Sequence, residues 1–166
     1  MKLPKLIITD IDGVWTDGGM YYDQTGNEWK KFNTADSAGI LFAKKLNIIT
    51  AVITGEDTEM VARRCKKLNI PHVFQGISDK LQVATELCNK LQISLSEVAY
   101  IGDDIGDIKL LEAVGYAAAP DNAPDYIKSK VDYVTSKKGG EGAFREFVEH
   151  LIAQETSMEA FIDTHF

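Results

Sequence analysis

Carboxylate side chains follow two of the apolar runs in this sequence, and their spacing suits metal-assisted phosphoryl chemistry. Asp10 and Asp12 come directly after one run, and Asp103 and Asp107 follow another. Crowded carboxylates repel one another unless a cation neutralises them, and Mg²⁺ prefers one or two carboxylates together with waters and a substrate phosphate. Asp10 and Asp103 are the natural ligands for such an ion, and Asp107, one helical turn after Asp103, could orient them.

The pair Asp10 and Asp12 has the spacing of two cooperating catalytic groups. On extended backbone, residues two positions apart point to the same side, so both carboxylates would face one substrate. One could then act as a nucleophile while the other gives and later takes a proton. Thr54, Lys80 and free loop amides could hold a phosphoryl group beside them, with the lysine as a point charge and the amides as anion donors.

Each of these features is common on its own. An Asp-x-Asp-Gly segment after a strand is often only a turn, and an isolated lysine is usually a solvated helix residue. Their joint occurrence at the ends of successive elements is what indicates a site. In an open parallel sheet, ligands bind beyond the carboxyl ends of the strands.

Apolar runs alternate with helical patterns along most of the chain. Runs without polar alternation predict strands covered on both faces, as in parallel sheets. The sequence therefore predicts an α/β fold with a Rossmann-like, doubly wound parallel sheet and right-handed crossovers. Strands are predicted at residues 6–9, 48–53, 72–74, 98–101, 116–119 and 132–134. Helices are predicted at residues 36–45, 57–68, 78–91, 108–114 and 141–153.

One segment interrupts this alternation. Residues 20–22, a turn at 23–26 and residues 28–32 predict a β-hairpin directly after the first acidic loop. The hairpin carries several apolar and aromatic side chains, which would form a costly solvent-exposed patch if nothing covered them.

Composition excludes several classes of protein. The 166 residues carry 18 Lys+Arg and 25 Asp+Glu, a net charge of −7, which argues against a nucleic-acid partner. No run approaches the roughly 18 apolar residues of a membrane helix, and the N-terminal apolar stretch is too short for a signal peptide, so we expect no membrane association. Cys65 and Cys88 lack metal-type spacing, which predicts a reduced, cytoplasmic protein.

Four segments together resemble the signature motifs of the haloacid dehalogenase superfamily of phosphatases. They are residues 10–18, Thr54-Gly55, Lys80 and residues 102–107. The similarity extends to about Leu151. It implies one hydrolase domain over residues 1–154, with the hairpin as an insert at about 20–32, a C-terminal tail at 155–166 and no cap domain.

Further segments resemble the small capless branch of that superfamily. They are residues 33–39, 75–80 and 139–146. This branch dephosphorylates 2-keto-3-deoxy sugar acids, namely 3-deoxy-manno-octulosonate 8-phosphate and nonulosonate 9-phosphates of the sialic-acid type. Similar proteins form homotetramers in which neighbouring hairpins enclose the site, so the resemblance implies a homotetramer here.

The resemblance also implies catalytic roles. Asp10 would be the nucleophile that forms an aspartyl-phosphate, and Asp12 the acid that protonates the leaving sugar oxygen and then activates water. Thr54 and Lys80 would hold the phosphoryl oxygens, and Lys80 would also pair with Asp10. Asp12 argues against a two-component receiver domain, which needs a long-lived phosphoaspartate.

The same resemblance implies a magnesium site. Asp10, the backbone carbonyl of Asp12 and Asp103 would bind Mg²⁺, while Asp104 and Asp107 would support the loop. A further alternative is a non-catalytic oligomerisation module of the kind fused to sugar-nucleotide synthetases. Loss of activity is normally visible at the nucleophile or the lysine, and both are present here.

Substrate choice depends on residues near Gly55. Octulosonate enzymes usually carry arginine after the Thr-Gly of the second strand, where this sequence has Glu56. Arg64 and Lys67, on the following helix, could reach the carboxylate of a longer nine-carbon acid; as helix charges they could equally be solvated. The sequence interpretation therefore favours a nonulosonate 9-phosphate, with octulosonate 8-phosphate as the alternative.

Overall fold

Six of the apolar runs form one parallel sheet in the computed structural model, which describes residues 3–166. Met1 and Lys2 lie outside the described residues. They begin the N-terminal stretch whose apolar part is too short to predict a signal peptide. The strands are β1 (Leu6–Thr9), β2 (Tyr21–Tyr22), β3 (Glu28–Trp29), β4 (Ile49–Ile53), β5 (His72–Phe74), β6 (Val98–Ile101), β7 (Tyr116–Ala119) and β8 (Tyr133–Val134).

Helices connect most of these strands. They are α1 (Asp36–Lys45), α2 (Glu59–Lys67), α3 (Lys80–Leu91), α4 (Ile108–Leu111), α5 (Asp125–Lys128), α6 (Ala143–Ala153) and α7 (Met158–His165). The helix predicted at residues 57–68 begins two residues later than predicted, at Glu59. Its cap is Thr58 and not Asp57, because the Thr58 side chain accepts a hydrogen bond from the Val61 amide. The prediction for residues 108–114 was too long, since α4 ends at Leu111.

The sheet order is β5-β4-β1-β6-β7-β8, and every neighbouring pair is parallel. The predicted α/β class and doubly wound sheet are therefore confirmed. The chain leaves β1 for β4 on one side and later returns to β6 on the other, so the order reverses between β1 and β6. This switch point brings the carboxyl ends of β1 and β6 side by side, which is where ligands bind in such sheets.

Two apolar cores cover the two faces of the sheet. Ile7 and Trp15 pack with α1 and α6 on one face, whereas Leu6 and Ile8 pack with α3 and α4 on the other. All four residues of β1 are buried, which is why the run has no polar alternation. Within residues 3–166, no helix has the length and apolar character needed to cross a bilayer.

Helices α1 and α6 approach each other closely at Gly39. A side chain at that position would begin 2.9 Å from the Phe144 ring and 3.2 Å from the Arg145 Cα. Asp36, fully buried at the start of α1, accepts a hydrogen bond from the Arg145 amide (3.1 Å) and so caps the N-terminal turn of α6.

The C-terminal residues 155–166, a tail for which the sequence made no prediction of order or disorder, contain α7. Phe161 of this helix is 2% exposed and packs edge-on against Phe42 of α1, with ring centroids 5.5 Å apart. The segment therefore adds to the α1–α6 side of the core.

The hairpin formed by β2 and β3 lies outside both cores. Tyr21 pairs with Trp29 and Tyr22 with Glu28 in an antiparallel ladder, shorter than the predicted one. Its turn is held by Asp23, whose carboxylate accepts from the amides of Thr25 (2.8 Å) and Asn27 (2.9 Å). Met20, Tyr21, Tyr22 and Trp29 are each more than two-fifths exposed.

Candidate active site

The ends of β1 and β6 bring together carboxylates that are far apart in the sequence. Asp10 follows β1 directly, and Asp103 follows β6 after one glycine. One carboxylate oxygen from each of Asp10, Asp103 and Asp107 lies within 4.8 Å of the others. The parallel register of β1 and β6 produces this cluster, since Thr9 pairs with Ile101.

Lys80 supplies the positive charge of this cluster. It is the first residue of α3, whose cap is Asp79, and its side chain is 7% exposed. The Nζ atom lies 2.9 Å from Asp10 Oδ2 and 2.5 Å from Asp107 Oδ1. Burial lowers the pKa of Lys80, but its two carboxylate partners outweigh this and raise it. Burial raises the pKa of Asp10, although the positive charge of Lys80 opposes this shift.

Asp107 uses both of its oxygens to hold the loop together. Oδ1 accepts from Lys80 Nζ and from the Tyr100 hydroxyl (2.6 Å), and Oδ2 accepts from the amides of Asp103 (2.8 Å) and Asp104 (3.0 Å). A fully paired, buried carboxylate is poorly available to a metal ion. Asp107 is therefore suited to fixing the loop that carries Asp103.

Asp103 is the carboxylate that needs a cation. Its Oδ1 atom is buried and has no hydrogen-bond partner among residues 3–166. Burial, Asp10 and Asp107 together raise the pKa of Asp103 to about 8. An ionised Asp103 is thus unfavourable until a positive charge arrives, and oxygen ligands from Asp10 and Asp103 match the preference of Mg²⁺. The residues present fit this ion.

Gly13 allows the two loops to meet. Its φ is +80°, and a Cβ atom there would lie 1.9 Å from Asp103 Oδ2. A larger residue would therefore be strained and would also overlap the Asp103 carboxylate. The first acidic loop is fixed from the other side by Asn122, whose amide donates to the Gly13 carbonyl (3.3 Å) and accepts from the Gly139 amide (2.6 Å).

Asp12 lies beside the cluster with one oxygen paired and one unpaired. Oδ1 accepts from the Thr16 hydroxyl (3.2 Å) and from Lys30 Nζ (2.7 Å). Oδ2 is buried and has no hydrogen-bond partner in the described part of the chain. Lys30 also donates to Glu56 Oε2 (2.6 Å), and these two carboxylates raise its pKa although burial opposes them.

These side chains surround an open pocket of about 440 Å³. Of the predicted site residues, it is lined by Asp10, Asp12, Thr54, Gly55, Glu56, Lys80, Asp103, Asp104 and Asp107. Thr54 is buried at the end of β4, and its amide donates to the Phe74 carbonyl. The pocket thus joins the ends of β1, β4 and β6 with the start of α3.

Two predicted substrate-binding residues, Arg64 and Lys67, do not line this pocket in the part of the chain that the structure describes. Arg64 donates to the Asn33 carbonyl (3.1 Å) and the Ser37 hydroxyl (2.9 Å), and its guanidinium lies over the Phe32 ring. It therefore ties α2 to the segment before α1. Lys67 is exposed at the end of α2. The buried face of α2, with Val61, packs toward the core.

Sequence reasoning missed Lys30, Tyr100 and Asn122. The signal for Lys30 was present but weak: it stands two positions after Glu28 in a segment predicted to be a β-hairpin. Tyr100 belongs to a buried strand, where a hydroxyl needs a partner, and Asp107 provides one. Asn122 follows β7, another strand whose carboxyl end faces this edge.

Comparison with known proteins places these residues in a family context. Residues 66–147 match the haloacid dehalogenase-like hydrolases. The 3-deoxy-D-manno-octulosonate 8-phosphate phosphatase KdsC of Salmonella typhi is 40% identical over 155 residues, which are 93% of this chain and 82% of that protein.

Solved structures agree with this similarity. The 3-deoxy-D-manno-octulosonate 8-phosphate phosphatase from Moraxella catarrhalis, in complex with a magnesium ion, a phosphate ion and KDO, has a TM-score of 0.92 and 40% identity over 97% of this chain and 92% of its own. The cobalt-bound form of the deoxy-D-mannose-octulosonate 8-phosphate phosphatase YrbI from Haemophilus influenzae has a TM-score of 0.86 and 37% identity over 90% of this chain and 88% of its own.

Proposed function

This chain belongs to the haloacid dehalogenase-like hydrolases and is a Mg²⁺-dependent phosphoric monoester hydrolase, and we propose that its substrate is 3-deoxy-D-manno-octulosonate 8-phosphate. The observation that carries the chemistry is the meeting of Asp10, Asp103 and Lys80 at the ends of β1 and β6, where Asp103 Oδ1 has no partner among residues 3–166. The choice of sugar rests on relatives that share about two-fifths of their residues with this chain over most of its length.

The reaction needs two displacements at phosphorus. An oxygen of Asp10 forms a bond to phosphorus while the bond from phosphorus to the sugar oxygen breaks, and Asp12 gives its proton to that leaving oxygen. Water then attacks the phosphorus of the aspartyl-phosphate, Asp12 takes the water proton, and the bond to Asp10 breaks to release inorganic phosphate. Asp12 thus returns to its starting protonation state.

The phosphoryl group carries negative charge that the site must neutralise. Asp10, Asp103 and the backbone carbonyl of Asp12 would hold Mg²⁺, which supplies charge neutralisation at the phosphoryl oxygens when bound. Lys80 balances Asp10 and Asp107 and can also meet a phosphoryl oxygen, while Thr54 and the loop amides orient the group. Asp104 and Asp107 keep the second acidic loop in place.

A second candidate substrate is a nonulosonate 9-phosphate, and one observation favours it. Glu56 lines the pocket at the position where the sequence comparison led us to expect arginine in an octulosonate enzyme. Two observations weaken this candidate: Lys30 pairs with Glu56 and neutralises its charge, and Arg64 is engaged elsewhere. The comparisons support the octulosonate better than the nonulosonate that the sequence interpretation favoured.

Steady-state kinetics decide between the two sugars. We expect kcat/KM for 3-deoxy-D-manno-octulosonate 8-phosphate to exceed that for a nonulosonate 9-phosphate by about tenfold, which is about 1.4 kcal/mol of transition-state binding. A tenfold preference in the other direction would overturn the choice of sugar. The absence of Mg²⁺-dependent hydrolysis of any phosphate ester would instead support a non-catalytic oligomerisation module.

We also propose that the chain acts as a homotetramer. Met20, Tyr22 and Trp29 are 51%, 64% and 49% exposed on the hairpin, and a patch of this kind is typical of an interface. The pocket is open in the single chain, so neighbouring copies would help to exclude water from it. Sedimentation at micromolar concentration should give a species of four chains; an 18.4 kDa species alone would contradict this.

A cytoplasmic location is part of the same proposal. Cys65 and Cys88 are both buried and form no disulfide within the described residues, as expected for a protein kept in a reducing compartment. Cell fractionation should recover the protein with cytoplasmic markers, and its recovery with the periplasm or the medium would contradict this.

A further inference from the structure

One side chain of the hairpin differs from its neighbours in burial. Lys30 follows β3 directly, and only 3% of its side-chain surface is exposed. The adjacent Lys31 side chain is 66% exposed and only approaches Asp17, at 3.8 Å. A buried ammonium is unfavourable unless it is fully paired. The Nζ atom of Lys30 must therefore have partners in the protein.

The partners of Lys30 are both at the pocket. Its Nζ atom donates to Asp12 Oδ1 at 2.7 Å and to Glu56 Oε2 at 2.6 Å. Hydrogen bonds between ionised groups are among the stronger ones in proteins, and they fix the direction of a carboxylate. Lys30 therefore joins the hairpin, the loop after β1 and the loop after β4 through one atom.

The contact fixes the orientation of the Asp12 carboxylate. Lys30 and Thr16 occupy Oδ1, so the carboxylate cannot turn about its χ2 angle without breaking two hydrogen bonds. Oδ2 is buried and remains without a partner in the described residues. The side chain is nevertheless 32% exposed, so the surface that it offers to the pocket lies on the Oδ1 side, which Lys30 and Thr16 hold.

We propose that Lys30 is a positioning residue that clamps Asp12 Oδ1 and thereby holds the Asp12 carboxylate at the leaving oxygen of the substrate. The inference rests on the proposed function, in which Asp12 is the acid. Its consequence is that docking of the hairpin on the pocket controls proton transfer to the leaving group. Attack by Asp10, which Lys80 and the second acidic loop hold in place, does not depend on Lys30.

A pair of esters matched in size separates this role from a general structural one. Phenyl phosphate has a poor leaving group that needs a proton, whereas 4-nitrophenyl phosphate has a good one that does not. The parameter to compare is kcat/KM, because it reports only steps up to the first irreversible one and so excludes the later hydrolysis of the aspartyl-phosphate. The variants are Lys30→Met, Lys30→Arg and the neighbouring control Lys31→Met.

We expect Lys30→Met to lower kcat/KM about 30-fold for phenyl phosphate and less than about 3-fold for 4-nitrophenyl phosphate. The larger loss is a part of the roughly 10²–10⁴-fold rate enhancement that a general acid contributes. Lys30→Arg, which keeps the charge and the donors, should recover part of the loss. Lys31→Met should change neither value. The Mg²⁺ dissociation constant, measured by calorimetry, should stay within about twofold, because Asp10 and Asp103 are untouched.

Equal losses on the two esters, or no loss on either, would overturn the proposal. If Lys30→Met has a lowered melting temperature, the same comparison with Lys30→Gln, which retains a polar donor on a side chain one atom shorter, gives the decision. Failure of the wild-type enzyme on 3-deoxy-D-manno-octulosonate 8-phosphate, with normal hydrolysis of the aryl esters, would reject the proposed substrate and leave the role of Lys30 intact.

Discussion

At the carboxyl edge of the sheet, the ionisable side chains of Asp10, Lys80 and Asp107 are buried and pair with one another, whereas most side chains of the β2–β3 hairpin are exposed. The edge is fixed by two strands and a helix that belong to the core. The hairpin has only a two-residue ladder and reaches the pocket through Lys30. We infer that the edge determines whether phosphoryl transfer occurs, and that the hairpin determines how efficiently the leaving group is protonated.

The largest expected effect is at the nucleophile. Asp10→Asn should lower kcat by about 10⁴-fold or more, because an amide oxygen cannot form the covalent intermediate. The matched control is Asp121→Asn, whose side chain is 47% exposed and lies 3.9 Å from Lys128. Rapid-quench detection of phosphoenzyme measures the step directly. Residual turnover near the wild-type rate would place the chemistry elsewhere.

Removing the buried cation tests the edge as a structural unit. Lys80→Met leaves Asp10 and Asp107 without their partner, and breaking a buried pair in this way should lower the free energy of unfolding by about 3 kcal/mol in metal-free buffer. Mg²⁺ should restore part of this loss, since it neutralises Asp10. Urea unfolding with and without Mg²⁺ gives both values, and Lys109→Met, on the exposed side of α4, is the control. A loss no larger than that of the control would mean that the edge is not held by this charge.

A buried carboxylate outside the pocket gives a pH-dependent effect of intermediate size. Burial raises the pKa of Asp36 to about 6, although the Arg145 amide and the charges of Arg64 and Lys137 oppose this. The folded state thus binds the proton more tightly than the unfolded state. The stabilisation is present below about pH 4 and is lost as the pH rises through about 6.

Asp36→Asn retains the hydrogen-bond acceptor and removes the charge. The free energy of unfolding of this variant relative to that of wild type should rise by about 2 kcal/mol from about pH 4 to about pH 7.5. Urea unfolding in saturating Mg²⁺ at the two pH values measures the difference, and Asp125→Asn, exposed on the first turn of α5, should show none. A constant difference between Asp36→Asn and wild type would show that Asp36 does not titrate abnormally.

The smallest effect is expected in the hairpin turn. Hydrogen bonds from Asn27 and Thr25 hold the pKa of Asp23 well below its usual range, so the turn gains from ionisation as the pH rises. Asp23→Ala should speed amide exchange in β2 and β3 while leaving the urea midpoint of the whole chain unchanged. A shifted midpoint would show that hairpin and core unfold together, which would remove the contrast between the two regions.

The sequence predicted the parts of the molecule that follow from local patterns. Buried runs such as Leu6–Thr9 identified the strands, and the acidic residues at their ends were correctly expected to share one edge. Contacts that depend on how separate elements turn in space were not predictable in this way. Lys30 reaches Asp12 across 18 positions because the hairpin folds back. Arg64 lies off the pocket because it donates to the Asn33 carbonyl and the Ser37 hydroxyl.

We infer that Asp10 and Asp103 share one cation while Asp107 supports the loop. A crystal structure grown with Mn²⁺ in place of Mg²⁺ tests it through anomalous scattering. We expect one peak bonded to an oxygen of each of Asp10 and Asp103, with Asp107 still bound to Lys80. A peak bonded to Asp107 instead of Asp103, or Asp10 and Asp103 too far apart to share an ion, would contradict it.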